Sequence, residues 1–81
     1  MNNNETLKAL VSKLILDIAP EAEMHNLDPN EDLREELDLD SMDFMNLLDS
    51  IAKETGVNVP ESDYSLVNSL QSLTDYIDKR L

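Results

Sequence analysis

An all-α fold, a small four-helix bundle of three main helices and one short helix with a long loop between helices 1 and 2, is what this 81-residue sequence predicts. Three observations predict it. Apolar residues recur at spacings of three and four in three separate stretches, the period of a helix with one buried stripe. There is no strand signal, repeat or low-complexity tract. Pro20, Pro60 and Gly56, the only glycine, fall at the ends of these stretches, where helices stop or start.

The first helix is expected from about Glu5 to Ala19. Leu7, Leu10, Val11, Leu14, Ile15 and Ile18 form its stripe, Asn3 or Asn4 is placed to cap it, and Glu5 suits its positive end. Pro20 ends it, because the residue before a proline avoids the α region. Fully buried, the six stripe side chains would contribute roughly 1.5–3 kcal/mol each before conformational entropy is subtracted.

From Pro20 to Asp40 there is no strong period, and so long a connection in a small domain calls for a functional reason. Leu27, Leu33, Leu37 and Leu39 are expected to pin it to the core. Leu33 and Leu37, four apart, suit a single helical turn, and Asp28-Pro29-Asn30 reads as a turn.

The second helix is expected from Ser41 or Met42 to Thr55, closed by Gly56 as a left-handed cap. At about 100° per residue, Phe44, Leu47, Leu48 and Ile51 share a sector assigned to the core. Met42, Met45, Asn46 and Asp49 share another, which either fills gaps in the core or offers an adaptable binding face. Val57 and Val59 tuck inward before Pro60, which opens a short third helix over Glu61 to Leu66. Asn68 or Ser69 caps the last helix, whose stripe is Leu70, Leu73, Tyr76, Ile77 and Leu81, with Lys79 and Arg80 at its negative end.

Composition narrows function. Eighteen acidic and six basic residues leave a net charge of −12, which repels nucleic acid and anionic lipid and favours basic partners. Between Leu14 and Ala52 the only basic residue is Arg34. The absence of cysteine excludes disulfides, thiolate metal sites and cysteine nucleophiles, and removes any need for an oxidising compartment. No apolar run approaches the ~18 residues of a membrane span, and Met1-Asn2-Asn3-Asn4-Glu5 lacks a signal-peptide pattern. The expectation is one cytoplasmic domain over residues 1–81, monomeric and with no membrane insertion.

Metal and enzyme chemistry find little support. Asp28, Asn30 and Asp32 match positions 1, 3 and 5 of an EF-hand loop, but Leu33 stands where that loop needs Gly and Leu39 where it needs Glu. No metal site is therefore assigned, although diffuse divalent-ion binding would relieve the charge repulsion. His25, in the loop beside Met24, has no Cys or second His to work with, and so small a bundle has little volume for a water-excluding pocket. No catalytic residue is assigned.

One short stretch remains. In Leu39-Asp40-Ser41-Met42-Asp43-Phe44 a hydroxyl sits where the acidic loop turns into the second helix. Taken locally, Ser41 is a helix cap. With its surroundings it resembles the acyl carrier proteins, whose attachment motif is Asp-Ser-Leu or a close variant. The resemblance runs from helix 1 through the long loop and the Ser-led helix to Thr55-Gly56, Val57-Asn58-Val59-Pro60, the short helix and Leu73-Thr74-Asp75-Tyr76-Ile77.

That resemblance implies a covalent 4′-phosphopantetheine on Ser41, delivered from coenzyme A by a phosphopantetheinyl transferase in a Mg²⁺-dependent reaction. The chain would carry acyl intermediates as thioesters for fatty-acid or related acyl or polyketide biosynthesis, a carrier rather than an enzyme. A phosphodiester suits a helix N-terminus, where free N–H groups and the positive dipole end meet it. Asp40 would act as a recognition charge, not a general base. The second helix would dock acyl-transferring, condensing and acyl-modifying enzymes with basic patches, through Glu35, Glu36, Asp38, Asp40, Asp43 and Asp49 around Met42, Met45 and Asn46. The core stripe would border a space for the acyl chain. Met42 in place of the commoner Leu, the aromatic Phe44, and Asp38 at a position that is often Gly depart from the family pattern. Peptidyl and D-alanyl carriers share the fold and attachment; basic residues near the motif would mark the former and a Trp in the second half the latter, and this chain has neither. The length suggests a stand-alone carrier. Two other readings stay open: a cofactor-free interaction module in which Ser41 is only a cap, and an ion-responsive helical protein.

Overall fold

A computed structural model describes residues 3–23 and 26–81; Met24 and His25, and with them the expectation for a lone loop histidine, lie outside the described residues. The elements in chain order are α1 (Asn3–Ile18), α2 (Leu33–Glu36), α3 (Ser41–Thr55), a 3₁₀ helix (Glu61–Leu66) and α4 (Leu70–Arg80). The three expected main helices are α1, α3 and α4. The expected short helix takes the tighter 3₁₀ form, and Leu33 and Leu37 make the anticipated single turn, with the Leu37 N–H donating to the Leu33 carbonyl at 3.0 Å. Among the described residues there is no strand, only an isolated bridge between Asp32 and Ser69.

The first helix already includes Asn3 and Asn4, two residues ahead of the expected Glu5. Asn4 lies inside the helix, and its amide donates to Asp75 Oδ1 at 2.9 Å while Lys8 Nζ reaches Gln71 Oε1 at 2.8 Å. These bonds tie α1 to α4. Buried Leu7, Val11, Leu14 and Ile15 form the inner stripe, with Leu10 and Ile18 packed at its margin. At the far end of the chain Ser69 caps α4 reciprocally with Ser72. Leu70, Leu73, Tyr76 and Ile77 are buried as expected, but Leu81 lies beyond the helix and is 66% exposed. Thr74 is buried without apolar character because its hydroxyl donates to the Leu70 carbonyl at 2.7 Å, which satisfies it inside the helix.

The long loop is held by backbone bonds as well as by leucines. Pro29 accepts the Gln71 N–H at 2.8 Å, one of the first-turn donors that α4 cannot satisfy itself, and the Leu33 N–H donates to the Asn68 carbonyl at 2.7 Å. Leu33 is fully buried and Leu39 nearly so, while Leu27 and Leu37 pack against the core from its edge. The turn at Asp28-Pro29-Asn30 forms as expected, with the Glu31 N–H on the Asp28 carbonyl at 3.1 Å. The core thus joins the inner faces of α1, α3 and α4 through Leu33, Val57 and Val67. A loop anchored on both sides of α2 can hold that single turn beside the start of α3.

Candidate functional site

The site is built at the junction of α2 and α3. The α2 turn begins on Asp32, whose carboxylate accepts the N–H groups of Arg34 at 2.8 Å and Glu35 at 3.3 Å. It ends with the Leu39 N–H returning to the Arg34 carbonyl at 2.9 Å across Asp38, which adopts φ 55°. This is the outer bond of a Schellman closure, whose left-handed position is usually filled by glycine. The position of Asp38, often Gly in the resembling family, therefore has a backbone cause.

The reversal at Asp38 leads straight into Asp40, the N-cap of α3, whose carboxylate accepts the Asp43 N–H at 2.8 Å. The local reading of Ser41 as the cap is thereby corrected. Ser41 is the first helical residue, one position too late to cap, because Asp40 already has the extended backbone that a cap requires. The Ser41 side chain is exposed, and its Oγ accepts a hydrogen bond from Arg34 Nη2 at 3.1 Å. Helix geometry leaves the Ser41 and Met42 N–H groups without intrahelical acceptors.

Arg34 is the residue that sequence reasoning noted only as a charge. Its guanidinium lies 6.0 Å from the centre of the Phe44 ring, at the outer limit of a cation–π contact. Phe44 meets Tyr64 of the 3₁₀ helix edge to face, with centroids 5.6 Å apart. Arg34, Ser41, Phe44, Met45, Glu61 and Tyr64 line a cleft of about 280 Å³. The signal available in the sequence was that Arg34 is the lone cation of a 37-residue acidic span between Leu14 and Ala52 and precedes Ser41 by seven residues.

The wall carrying Tyr64 is fixed from behind. Tyr76 of α4 donates its hydroxyl to Asp63 Oδ2 at 2.6 Å, joining α4 to the 3₁₀ helix. That bond to a carboxylate, then burial, hold the phenol above its usual 10.0, against the opposing pull of Arg80, whose guanidinium stacks 3.5 Å over the same ring.

The expected docking residues fall on the surface around Ser41. Glu35 and Glu36 are exposed on α2, and Asp38 and Asp40 are exposed in the turn. Met42 is 68% and Met45 47% exposed, and Asn46 and Asp49 continue the same face of α3, while Asp43 is half-buried against its cap. Phe44, Leu47, Leu48 and Ile51 are buried, so the two sectors of the helix separate as expected. A second cleft, of about 320 Å³, is lined by Ala19, Ala22, Leu27, Glu36, Leu37 and Asp38 among others, with Ser41 outside its lining. Asp28 and Asp32, the first and third of the residues matching a calcium loop, spend carboxylate oxygens on backbone N–H groups. Among the described residues no group of three or more His, Cys, Asp or Glu is arranged to hold a metal ion, and no helix is long and apolar enough to cross a membrane.

Comparison with protein families matches residues 5–77 to the model described as phosphopantetheine attachment site. The match spans the α2–α3 junction and closes within α4. Comparison with curated proteins yields no match.

Proposed function

This chain belongs to the phosphopantetheine-attachment family, whose domains carry 4′-phosphopantetheine covalently, and on that premise we propose that Ser41 is the esterified residue. The observation that carries this assignment is the exposed Ser41 hydroxyl at the first position of α3, left free of capping duty by Asp40. In the transfer, Oγ forms a bond to the pantetheine-side phosphorus of coenzyme A's diphosphate, the bond from that phosphorus to the bridging oxygen breaks, the nucleotide leaves with that oxygen on its own phosphate, and the serine proton passes to a base on the transferase. The chain's own residues fit the group: first-turn N–H groups and the guanidinium of Arg34 are donors for a phosphodiester at this position. When bound, the arm supplies a thiol that holds acyl groups as thioesters, which a chain without cysteine cannot do by itself.

Carrier domains of this kind are generally non-catalytic and work with a phosphopantetheinyl transferase and acyl-handling enzymes. We assign residues 1–81 to one carrier unit, monomeric and cytoplasmic, serving fatty-acid or related acyl or polyketide synthesis. Glu35, Glu36, Asp38, Asp40, Asp43 and Asp49 form the charged frame for basic partners, and Met42, Met45 and Asn46 the adaptable centre. A small apolar contact inside a charged frame suits fast, weak association with several enzymes.

Incubation with coenzyme A and a promiscuous transferase is expected to add one phosphopantetheine to the peptide containing Ser41, as read by mass spectrometry, and Ser41→Ala to abolish the addition. A wild-type chain that gains no mass, or a Ser41→Ala chain that gains it, overturns the assignment.

A further inference from the structure

We infer that Arg34 is an internal counter-ion that holds the phosphodiester at the root of the arm against the protein. The inference rests on Ser41 as the attachment residue and goes beyond it by giving this chain its own phosphate-binding side chain. In a phosphodiester on Ser41 the phosphorus is bonded to the Oγ that Arg34 Nη2 already reaches at 3.1 Å, which puts the non-bridging oxygens two bonds from that atom. Esterification turns a neutral acceptor beside the guanidinium into an anionic one, which adds Coulomb attraction between opposite charges to a bond whose donor is already ionised.

The backbone of Arg34 is fixed from both directions: Asp32 holds its N–H at 2.8 Å and Leu39 its carbonyl at 2.9 Å. Leu33, fully buried next to it, anchors the turn to the core. The side chain thus springs from a fixed backbone, and its guanidinium has only weak partners at present. A hydrogen bond to an exposed neutral hydroxyl is weak, and a ring centre 6.0 Å away is a marginal contact.

Charge supplies the second line of argument. The phosphodiester adds a negative charge beside the carboxylates of Asp40 and Asp43, within a chain of net charge −12. Arg34 is the only basic residue between Leu14 and Ala52, and its side chain is on Ser41. Neutralising the phosphate locally leaves the surrounding acids to face partner enzymes while limiting the repulsion that loading would add.

The test compares wild type, Arg34→Gln and Arg34→Lys, each with and without the arm installed by coenzyme A and a promiscuous transferase. The change in melting temperature on loading is expected to be about 2–4 °C more favourable for wild type than for Arg34→Gln at low salt, and to converge as salt rises. The phosphorus-31 resonance of the loaded protein is expected to narrow in Arg34→Gln as the phosphate gains local motion. Arg34→Lys should lie between the two, keeping the charge without the fork. Referring each loaded chain to its own unloaded form removes any purely structural cost of the substitution. Equal loading shifts and equal phosphorus relaxation in wild type and Arg34→Gln overturn the inference while leaving Ser41 as the attachment residue. A wild-type chain that takes up no arm overturns both. Should the transferase reject Arg34→Gln, the wild-type guanidinium decides: a shift of the Arg34 Nε–H resonance on loading supports the inference, and an unchanged one overturns it.

Discussion

Asp40 combines two roles that substitution can separate. Its carboxylate caps α3 by accepting the Asp43 N–H at 2.8 Å, and it stands one residue before Ser41 in the proposed docking frame. Replacing a capping Asp by Ala costs about 1 kcal/mol, within a range of roughly 0.5–2, whereas Asn caps about as well as Asp. Losing the negative charge has two opposed effects. It removes about 0.3–1 kcal/mol of favourable interaction with the helix N-terminus, and it relieves repulsion in a chain of net charge −12. Both substitutions remove the same charge, so the difference between Asp40→Ala and Asp40→Asn isolates the cap. One kcal/mol in a domain of this size corresponds to about 4–8 °C in melting temperature. Asp40→Ala should therefore melt about 4–8 °C below Asp40→Asn, and Asp40→Asn within about 3 °C of wild type, by far-ultraviolet circular dichroism at physiological salt. Coincident melting of the two variants would refute the cap. The arm-transfer rate then reports the other role: Asp40→Asn should slow transfer without loss of stability, and an unchanged rate would remove Asp40 from the docking frame.

Three further outcomes follow from the same geometry. The two left-handed positions should respond in opposite directions. Gly56→Ala, at φ 78° with nothing within 4 Å of the added Cβ, should cost about 1 kcal/mol from backbone strain alone, while Asp38→Gly should raise the melting temperature by about 2–4 °C. Leu33→Ala, at a fully buried position, should cost about 2–5 kcal/mol, enough to bring the urea midpoint of so small a domain close to zero. Tyr76 sets an alkaline limit. Its folded pKa lies above the unfolded 10.0, so its contribution is complete below that value and disappears as pH rises through the folded one. The difference in melting temperature between wild type and Tyr76→Phe should accordingly be constant below pH 10 and shrink above it; a difference that grows would contradict the Tyr76–Asp63 bond.

The helices and the exposed hydroxyl were legible in the sequence because their causes are local. Three-and-four spacing buries Phe44, Leu47, Leu48 and Ile51 and exposes Met42 and Met45 whatever α3 packs against, and Gly56 ends that helix by its own backbone freedom. Pro20 likewise ends α1 on steric grounds. Caps were less legible, since Asp40 and Ser41 compete over neighbouring positions by margins that the first turn settles only when it forms. What tertiary structure alone decided is the surroundings of Ser41. The loop between α1 and α3 has no period to betray its path. Bonds from residues far along the chain, Asn68 and Gln71, pin it and fold it into a one-turn helix closed by a left-handed aspartate. That closure carries Arg34 across seven residues onto the Ser41 hydroxyl, while the 3₁₀ helix, tied to α4 by the Tyr76–Asp63 bond, sets Tyr64 against Phe44 beside it. Residue types and spacing marked Ser41 as a handle; long-range packing decided that a guanidinium would sit against it.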